Sequence, residues 1–263
     1  MNLRGGWALI RGTWLSWLQQ RSFFFLLAFG WMIPPLIYLF VWSTAVGSGS
    51  IGGLTRGGFV AYYLVLILVN QLTYSQTNWT VGDTIRYGGM NQLLLRPLSP
   101  VFDALSSEVA GKLVYMAFIV PVTAVLALLL RPELHLTLQS VLAFIPALAL
   151  AWALRFLWGY AVALLAFWAT RADALLAIQD ALVFLLAGQA APTRLLPGAL
   201  QTLSRVLPFR YMVGFPVEVL TGQLDAAGLM TGFAFQTGWL VVAAALFVVL
   251  WRTGVRQYSA VGG

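Results

Sequence analysis

Residues 80–100 read TVGDTIRYGGMNQLLLRPLSP, a short semi-polar stretch caught between two long apolar runs. Upstream, Phe59 to Trp79 is nearly free of charge; downstream, Gly111 to Leu130 is again apolar, with Lys112 near its start. Asp83, Arg86, Tyr87, Asn91, Gln92 and Arg96 cluster within the stretch, punctuated by Gly82, Gly88, Gly89 and Pro97. A soluble chain breaks such apolar runs far more often. The reading is a cytoplasmic turn-helix-turn that protrudes from a membrane bundle and touches something in the cytosol. The alternative is a solvated loop that only joins two spans.

Composition supports the membrane half of that reading. Of 263 residues, 60% are hydrophobic and 9% charged, and the mean hydropathy is +0.86. Soluble domains carry about 25% charged residues, so this is an integral membrane protein with little mass outside the bilayer. A spanning helix needs about 20 apolar residues, so the length allows six or so spans and no separate soluble domain. Cysteine is absent, which removes disulfides and thiolate chemistry. The single histidine, His135, makes a protein-only zinc site untenable. A net charge of +7 is explained by juxtamembrane arginines that set topology rather than by nucleic acid.

Six spans follow in order: Phe23–Val46, Phe59–Trp79, Gly111–Leu130, Val141–Trp168, Leu175–Ala191 and Leu229–Trp251. Ahead of them, residues 1–21 place Leu3, Trp7, Ile10, Trp14, Trp17 and Leu18 on one helical arc. Three tryptophans with Arg4, Arg11 and Arg21 suit a helix lying in the membrane interface. Residues 192–225 have prolines at 192, 197, 208 and 216, and apolar pieces each too short to cross. Re-entrant or interfacial helices are the expected form, since irregular backbone at membrane depth must be shielded by protein or water. With the N-terminus inside, the cytoplasmic side holds Arg4, Arg11, Arg21, Arg86, Arg96, Lys112, Arg171, Arg252 and Arg256. The outer side holds Arg56, Arg131, Arg194, Arg205 and Arg210. This bias favours both termini in the cytoplasm.

Chemistry-bearing motifs are scarce. Gly111-Lys112 is followed by Leu113, and Ser106 stands where a P-loop needs glycine, so the chain cannot cradle nucleotide phosphates in a P-loop. His135 has no serine partner for a nucleophilic triad, and Asp173 and Asp180 read as a cap and a bundle-facing carboxylate. No catalytic residue and no metal site is expected. The polar residues inside spans, Asn70, Gln71, Arg155 and Asp180, are the candidates for a translocation path. Arg155 is the most costly, at about 2.5–3.5 kcal/mol near a helix centre, and is expected to face the bundle interior. A salt bridge to Asp180 or Glu108 and a substrate contact are both open for it. Interhelical hydrogen bonding explains Asn70 and Gln71 equally well.

Three local stretches carry a resemblance: IRYGGMNQLLLRPLSP (85–100), LPFRYMVGFPVEVLTGQ (207–223) and WRTGVRQYSAVGG (251–263). Together with the order of parts, they resemble the permease subunit of type-2 ABC exporters, in a small bacterial branch where two permease genes often accompany one ATPase gene. The first resembles that family's coupling segment, usually written glycine-x-leucine-leucine-x-arginine-proline. The resemblance implies a single transmembrane domain over residues 1–263, all-α, with six spans, an interfacial helix at 1–21, a coupling segment at 81–100 and a re-entrant segment at 192–225. It implies that Asp83, Arg86, Tyr87, Gly88, Asn91, Arg96 and Pro97 contact a separate ABC ATP-binding subunit. ATP and Mg would be bound there and not by this chain. It further implies a second permease, as a homodimer or heterodimer, location in the bacterial inner membrane, contact with membrane lipid and none with nucleic acid, and a hydrophobic or amphipathic cargo such as a drug, lipid or peptide antibiotic. An ion-coupled secondary transporter would need mid-membrane carboxylates and inverted repeats, of which Asp180 alone is present. A purely structural membrane subunit leaves the 192–225 segment unexplained.

Overall fold

The structure is a computed structural model that describes residues 21–134, 136–169 and 172–258, with Gly12, Trp14 and Leu15 ahead of them. The interfacial helix expected over 1–21, His135 and the Thr170-Arg171 turn therefore lie outside the described residues, apart from those isolated positions. The described chain is all-helical. Five stretches are long and apolar enough to cross a membrane: Phe25–Ala45, Arg56–Arg86, Pro100–Leu130, Leu138–Phe167 and Ala226–Gln257.

The helices are α1 (Arg21–Ala45), α2 (Arg56–Thr73), α3 (Thr77–Arg86), α4 (Met90–Leu94), α5 (Pro100–Leu130) and α6 (Leu138–Leu164). They continue with α7 (Ala172–Leu186), α8 (Gly198–Val206), α9 (Phe209–Met212), α10 (Gly214–Leu220) and α11 (Ala226–Gln257). Pro34-Pro35, Pro121 and Pro146 sit inside α1, α5 and α6 without ending them. Membrane helices tolerate this because neighbouring groups re-satisfy the freed carbonyls. Starts are capped as the sequence allows. Thr55 accepts from the Gly58 N–H, Asp225 accepts from the Gly228 N–H, and Thr137 and Ser140 form a reciprocal capping box.

Two of the expected spans take a different form. The second run does not continue unbroken to Trp79: α2 stops at Thr73, Tyr74 to Gln76 are non-helical, and α3 then begins. The expected fifth span, Leu175–Ala191, is the 15-residue helix α7. At about 1.5 Å per residue it is roughly 22 Å long, short of a hydrocarbon core about 30 Å thick.

Helix α6 lies at the centre, packed against α2, α3, α7, α9, α10 and α11, while α1 and α5 pack on α2. Phe59, Tyr62, Tyr63, Leu66, Leu154, Tyr211 and Phe215 fill the main core. Outward faces stay apolar: Leu26, Ile37 and Phe40 on α1, Leu128 on α5, Ile145 on α6 and Val249 on α11 are exposed. A bundle with such an apolar outer surface is built for lipid.

The connections gather at two ends. At one, α3 meets the Leu165–Phe167 turn after α6 and the end of α11, where the Phe167 and Tyr258 rings stack edge to face at 5.7 Å. At the other, the Glu133 N–H donates to the Gly57 carbonyl at 3.0 Å. There too, Trp42 Nε1 and the Tyr63 hydroxyl both donate to the Ala190 carbonyl, at 2.9 and 3.1 Å. The 192–225 segment packs inward from this second end. Gln236 of α11 donates to the Ala147 and Tyr211 carbonyls at 2.9 and 3.0 Å, tying α6, α9 and α11 together.

Candidate functional site: a two-faced arm and its hinge

The arm begins where α2 breaks. A helix end leaves carbonyls without partners and a helix start leaves N–H groups without partners, and both are costly away from water. Here two charged residues of α5 and one of α6 supply what is missing. Glu108, buried, accepts from the Thr77 N–H at 2.8 Å, the Thr77 hydroxyl at 2.7 Å and the Ser75 hydroxyl at 3.0 Å. It thereby caps the start of α3, where the helix dipole favours negative charge. Lys112, one turn further along α5, donates to Glu108 and to the Tyr74 carbonyl, each at 2.7 Å.

Arg155 serves the other side of the break. Its Nη1 donates to Asn70 Oδ1 at 2.8 Å, to Thr73 Oγ1 at 3.1 Å and to the Asn70 carbonyl at 3.5 Å. Its guanidinium also lies over the Tyr74 ring, 5.0 Å from the centroid. A cation at the last turn of α2 meets the negative end of that helix. Neither salt bridge considered for Arg155 forms: the ion pairs among the described residues are Arg96–Asp103, Lys112–Glu108 and Arg210–Glu218. Glu108 is already occupied as the α3 cap. Asp180 is half-buried and forms no ion pair with Arg155.

Of the four candidate path residues, Asn70 and Arg155 therefore meet directly, while Asp180 is half-buried on α7. Gln71 points elsewhere. It is buried, its Nε2 has no partner, and it lines a 240 Å³ cavity with Trp31, Tyr74, Tyr115, Glu108 and Lys112.

Beyond the hinge, α3 and α4 form an arm with two faces. Val81, Ile85 and Met90 are buried against Ala104, Phe156, Tyr160, Leu164 and Leu176, a second small core separate from the main one. The opposite face carries Asp83, Arg86, Tyr87, Arg96 and Pro97, all exposed, with Gly88 and Asn91 half-covered. Tyr87 is 73% and Leu95 86% exposed, so the face is apolar as well as charged. Arg86 stacks on Tyr87 at 5.3 Å, and Arg96 pairs with Asp103 at 3.1 Å. Gly88, at φ +80°, makes the turn between α3 and α4, a conformation costly for any residue with a Cβ.

The model of an ABC-2 family transporter protein matches residues 30–262. The chain belongs to the ABC-2 transporter family. No curated protein matches it closely. As a member, it is a multi-pass membrane subunit of an ABC transporter, of a family normally without catalysis of its own, whose members generally pair with ATP-binding subunits.

Sequence reading reached the arm residues but missed the two that hold this ABC-2 subunit's hinge. Glu108 entered only as a partner for Arg155, and Lys112 only as a topology marker. The available signal was their spacing: opposite charges four residues apart in an otherwise apolar helix interact on one face, and membrane charges are retained where they have a task.

Proposed function

We propose that this chain is the permease subunit of an ATP-driven ABC exporter, and that the exposed face of Asp83–Pro97 docks on a separate ATP-binding subunit. The observation that carries the reading is the arm's two faces. One is anchored by Val81, Ile85 and Met90, and the other presents Arg86, Tyr87, Leu95 and Arg96 to solvent. A helix fixed on one side and free on the other transmits rigid-body motion, as a floppy loop does not. ATP-driven closure of the partner subunits would rock two permeases, identical or different, around a path for a hydrophobic or amphipathic cargo. ATP and Mg belong to the partners. Asn70, Gln71, Arg155 and Asp180 are this chain's candidate residues for that path, Gln71 by way of the cavity it shares with Tyr74, Glu108 and Lys112.

The same reading takes α7 as a short fifth of six passes, with both termini in the bacterial cytoplasm and the N-terminal segment in the interface. Depth contacts favour a re-entrant 192–225 segment. Just ahead of that segment, the Ala190 carbonyl meets Tyr63, about 10 Å along α2 from its start at 1.5 Å per residue. The Tyr211 carbonyl meets Gln236, about 15 Å along α11. Residues after α7 thus fill depth that a full-length span would occupy.

The test uses the cysteine-free background. Tyr87→Cys and Leu95→Cys carry a photoactivatable crosslinker in cells, and the captured protein is identified by mass spectrometry. An ABC ATP-binding protein captured from both positions, but not from Leu128→Cys on α5, is the expected result. Capture of lipid alone, or equal capture from Leu128, overturns the docking assignment. Bulky residues at Gly88 are a poor alternative because the turn itself would strain at φ +80°.

A further inference from the structure

At the end of the bundle away from the arm, three arginines converge on one cavity of 150 Å³, bounded by Thr193, Arg194, Arg205, Arg210, Glu218 and Gln223. Glu218 is the only carboxylate there, and it is committed. It is buried, accepts from the Thr193 hydroxyl, and holds Arg210 through Nε at 3.2 Å and through Nη2. That leaves Arg194 and Arg205 outside every ion pair among the described residues. The Nε of Arg194 is moreover fully buried and has no hydrogen-bond partner. Buried polar atoms are almost always satisfied, so an orphaned guanidinium donor needs an explanation.

Three guanidinium groups facing one carboxylate leave an excess of two positive charges around one cavity. Guanidinium presents a planar fork of donors that matches the oxygens of a phosphate or carboxylate. Topology does not explain the cluster either. In the orientation proposed above this end faces outward, where arginine is disfavoured in short loops. We propose that this cavity binds an anionic oxyacid group, namely a phosphate, carried on a phospholipid headgroup or free in solution. Arg194 and Arg205 supply the free charges, and the Glu218–Arg210–Thr193 group is the buried frame that positions them. The cavity admits a headgroup-sized anion and not an acyl chain.

Binding is measured on the purified full-length permease, independently of any ATP-binding subunit, so its outcome is separate from that of the docking test. Radiolabelled inorganic phosphate is titrated against protein in neutral detergent. In parallel, native mass spectrometry follows lipid retained from phosphatidylglycerol or phosphatidylcholine nanodiscs. Arg205→Gln and Arg194→Gln are each expected to weaken retention about tenfold or more, as loss of a charge-assisted contact does. Arg194→Lys restores charge without the fork and recovers only part of it. Saturable phosphate binding lost in these variants assigns the site to a soluble group. Retention of lipid alone, again lost in the variants, assigns it to a headgroup. If the wild type binds neither probe, or binds them no better than R194Q/R205Q, the proposal is overturned. Arg205 is exposed, so R205Q decides the matter even if R194Q fails to fold.

Discussion

Replacing Glu108 by alanine removes at one stroke the acceptor for Thr77 N–H, Thr77 Oγ1 and Ser75 Oγ, and leaves Lys112 charged beside it. Removing one partner of a buried ion pair costs about 3–5 kcal/mol, because the other charge is left uncompensated. Lys112 keeps the Tyr74 carbonyl and is 16% exposed, so the low end, about 3 kcal/mol, is expected. Glu108→Gln keeps an acceptor oxygen and loses the charge. Bonds to charged groups are worth about 1.5–3 kcal/mol and neutral ones about 0.5–1.5, which places this variant near 1–2 kcal/mol. Lys112→Met leaves Glu108 its three other donors, and the cost is again about 1–2 kcal/mol. The double variant Glu108→Ala/Lys112→Met then costs less than the sum of its parts, since it abolishes the stranded charge. Unfolding in mixed micelles, followed by the fluorescence of the eleven tryptophans, gives all four values. A Glu108→Ala cost below about 0.5 kcal/mol, the range of featureless surface changes, would refute the capping role. So would a strictly additive double variant.

Two further expectations rest on other parts of the chain. Gly49→Cys is expected to react with an impermeant thiol reagent in intact cells, whereas Gly89→Cys and Tyr258→Cys react only after permeabilisation; the reverse pattern overturns the orientation, and a split between Gly89 and Tyr258 overturns the two-ended arrangement. On α11, Gly232→Ala would bring a methyl to 2.0 Å from the Phe215 ring and should cost about 1–3 kcal/mol as overpacking, while Gly238→Ala, with nothing within 4 Å, should be neutral or stabilising; equal thermal shifts for the two would contradict the packing of α10 on α11.

The long apolar runs could be read directly because a bilayer demands about 20 apolar residues in succession, and nothing soluble imitates that. The arm was legible for the complementary reason: Asp83, Arg86 and Arg96 have no place in hydrocarbon. What could not be read was where a run stops being one helix. Phe59 to Trp79 is uniformly apolar or small and polar, yet α2 ends at Thr73, because the groups that make a break tolerable lie thirty residues away on α5. Gly88 was legible only as one of the glycines punctuating the stretch; its φ of +80° ends α3 and turns the chain into α4. Arg155 was legible as interior and illegible in partner, since a guanidinium is satisfied as well by a hydroxyl, an amide oxygen and an aromatic face as by a carboxylate. Helix α7 looked like a full span because Ala187 to Ala191 carry no charge, yet Gly188, at φ +82°, turns the chain there, and the Ala190 carbonyl is held by Trp42 and Tyr63.

The charges around the hinge bear on cargo as well as on stability. An arginine inside a transporter invites the inference of an anionic substrate. Here Arg155 is taken up by the last turn of α2 and the Tyr74 ring, and Glu108 and Lys112 by the first turn of α3 and the Tyr74 carbonyl. Positive charge at a helix end and negative charge at the next helix start are what the two macrodipoles favour. Each of these costly residues thus has a structural task at one break. Their presence gives no reason to expect a charged cargo. What remains to line a path is apolar side chains, the half-buried Asp180 and neutral amides. The hinge also joins the arm to α5 through Glu108 and to α6 through the arm's buried face. Motion imposed on the arm is therefore expected to reach two spanning helices at once, through contacts that do not include the orphaned amide of Gln71.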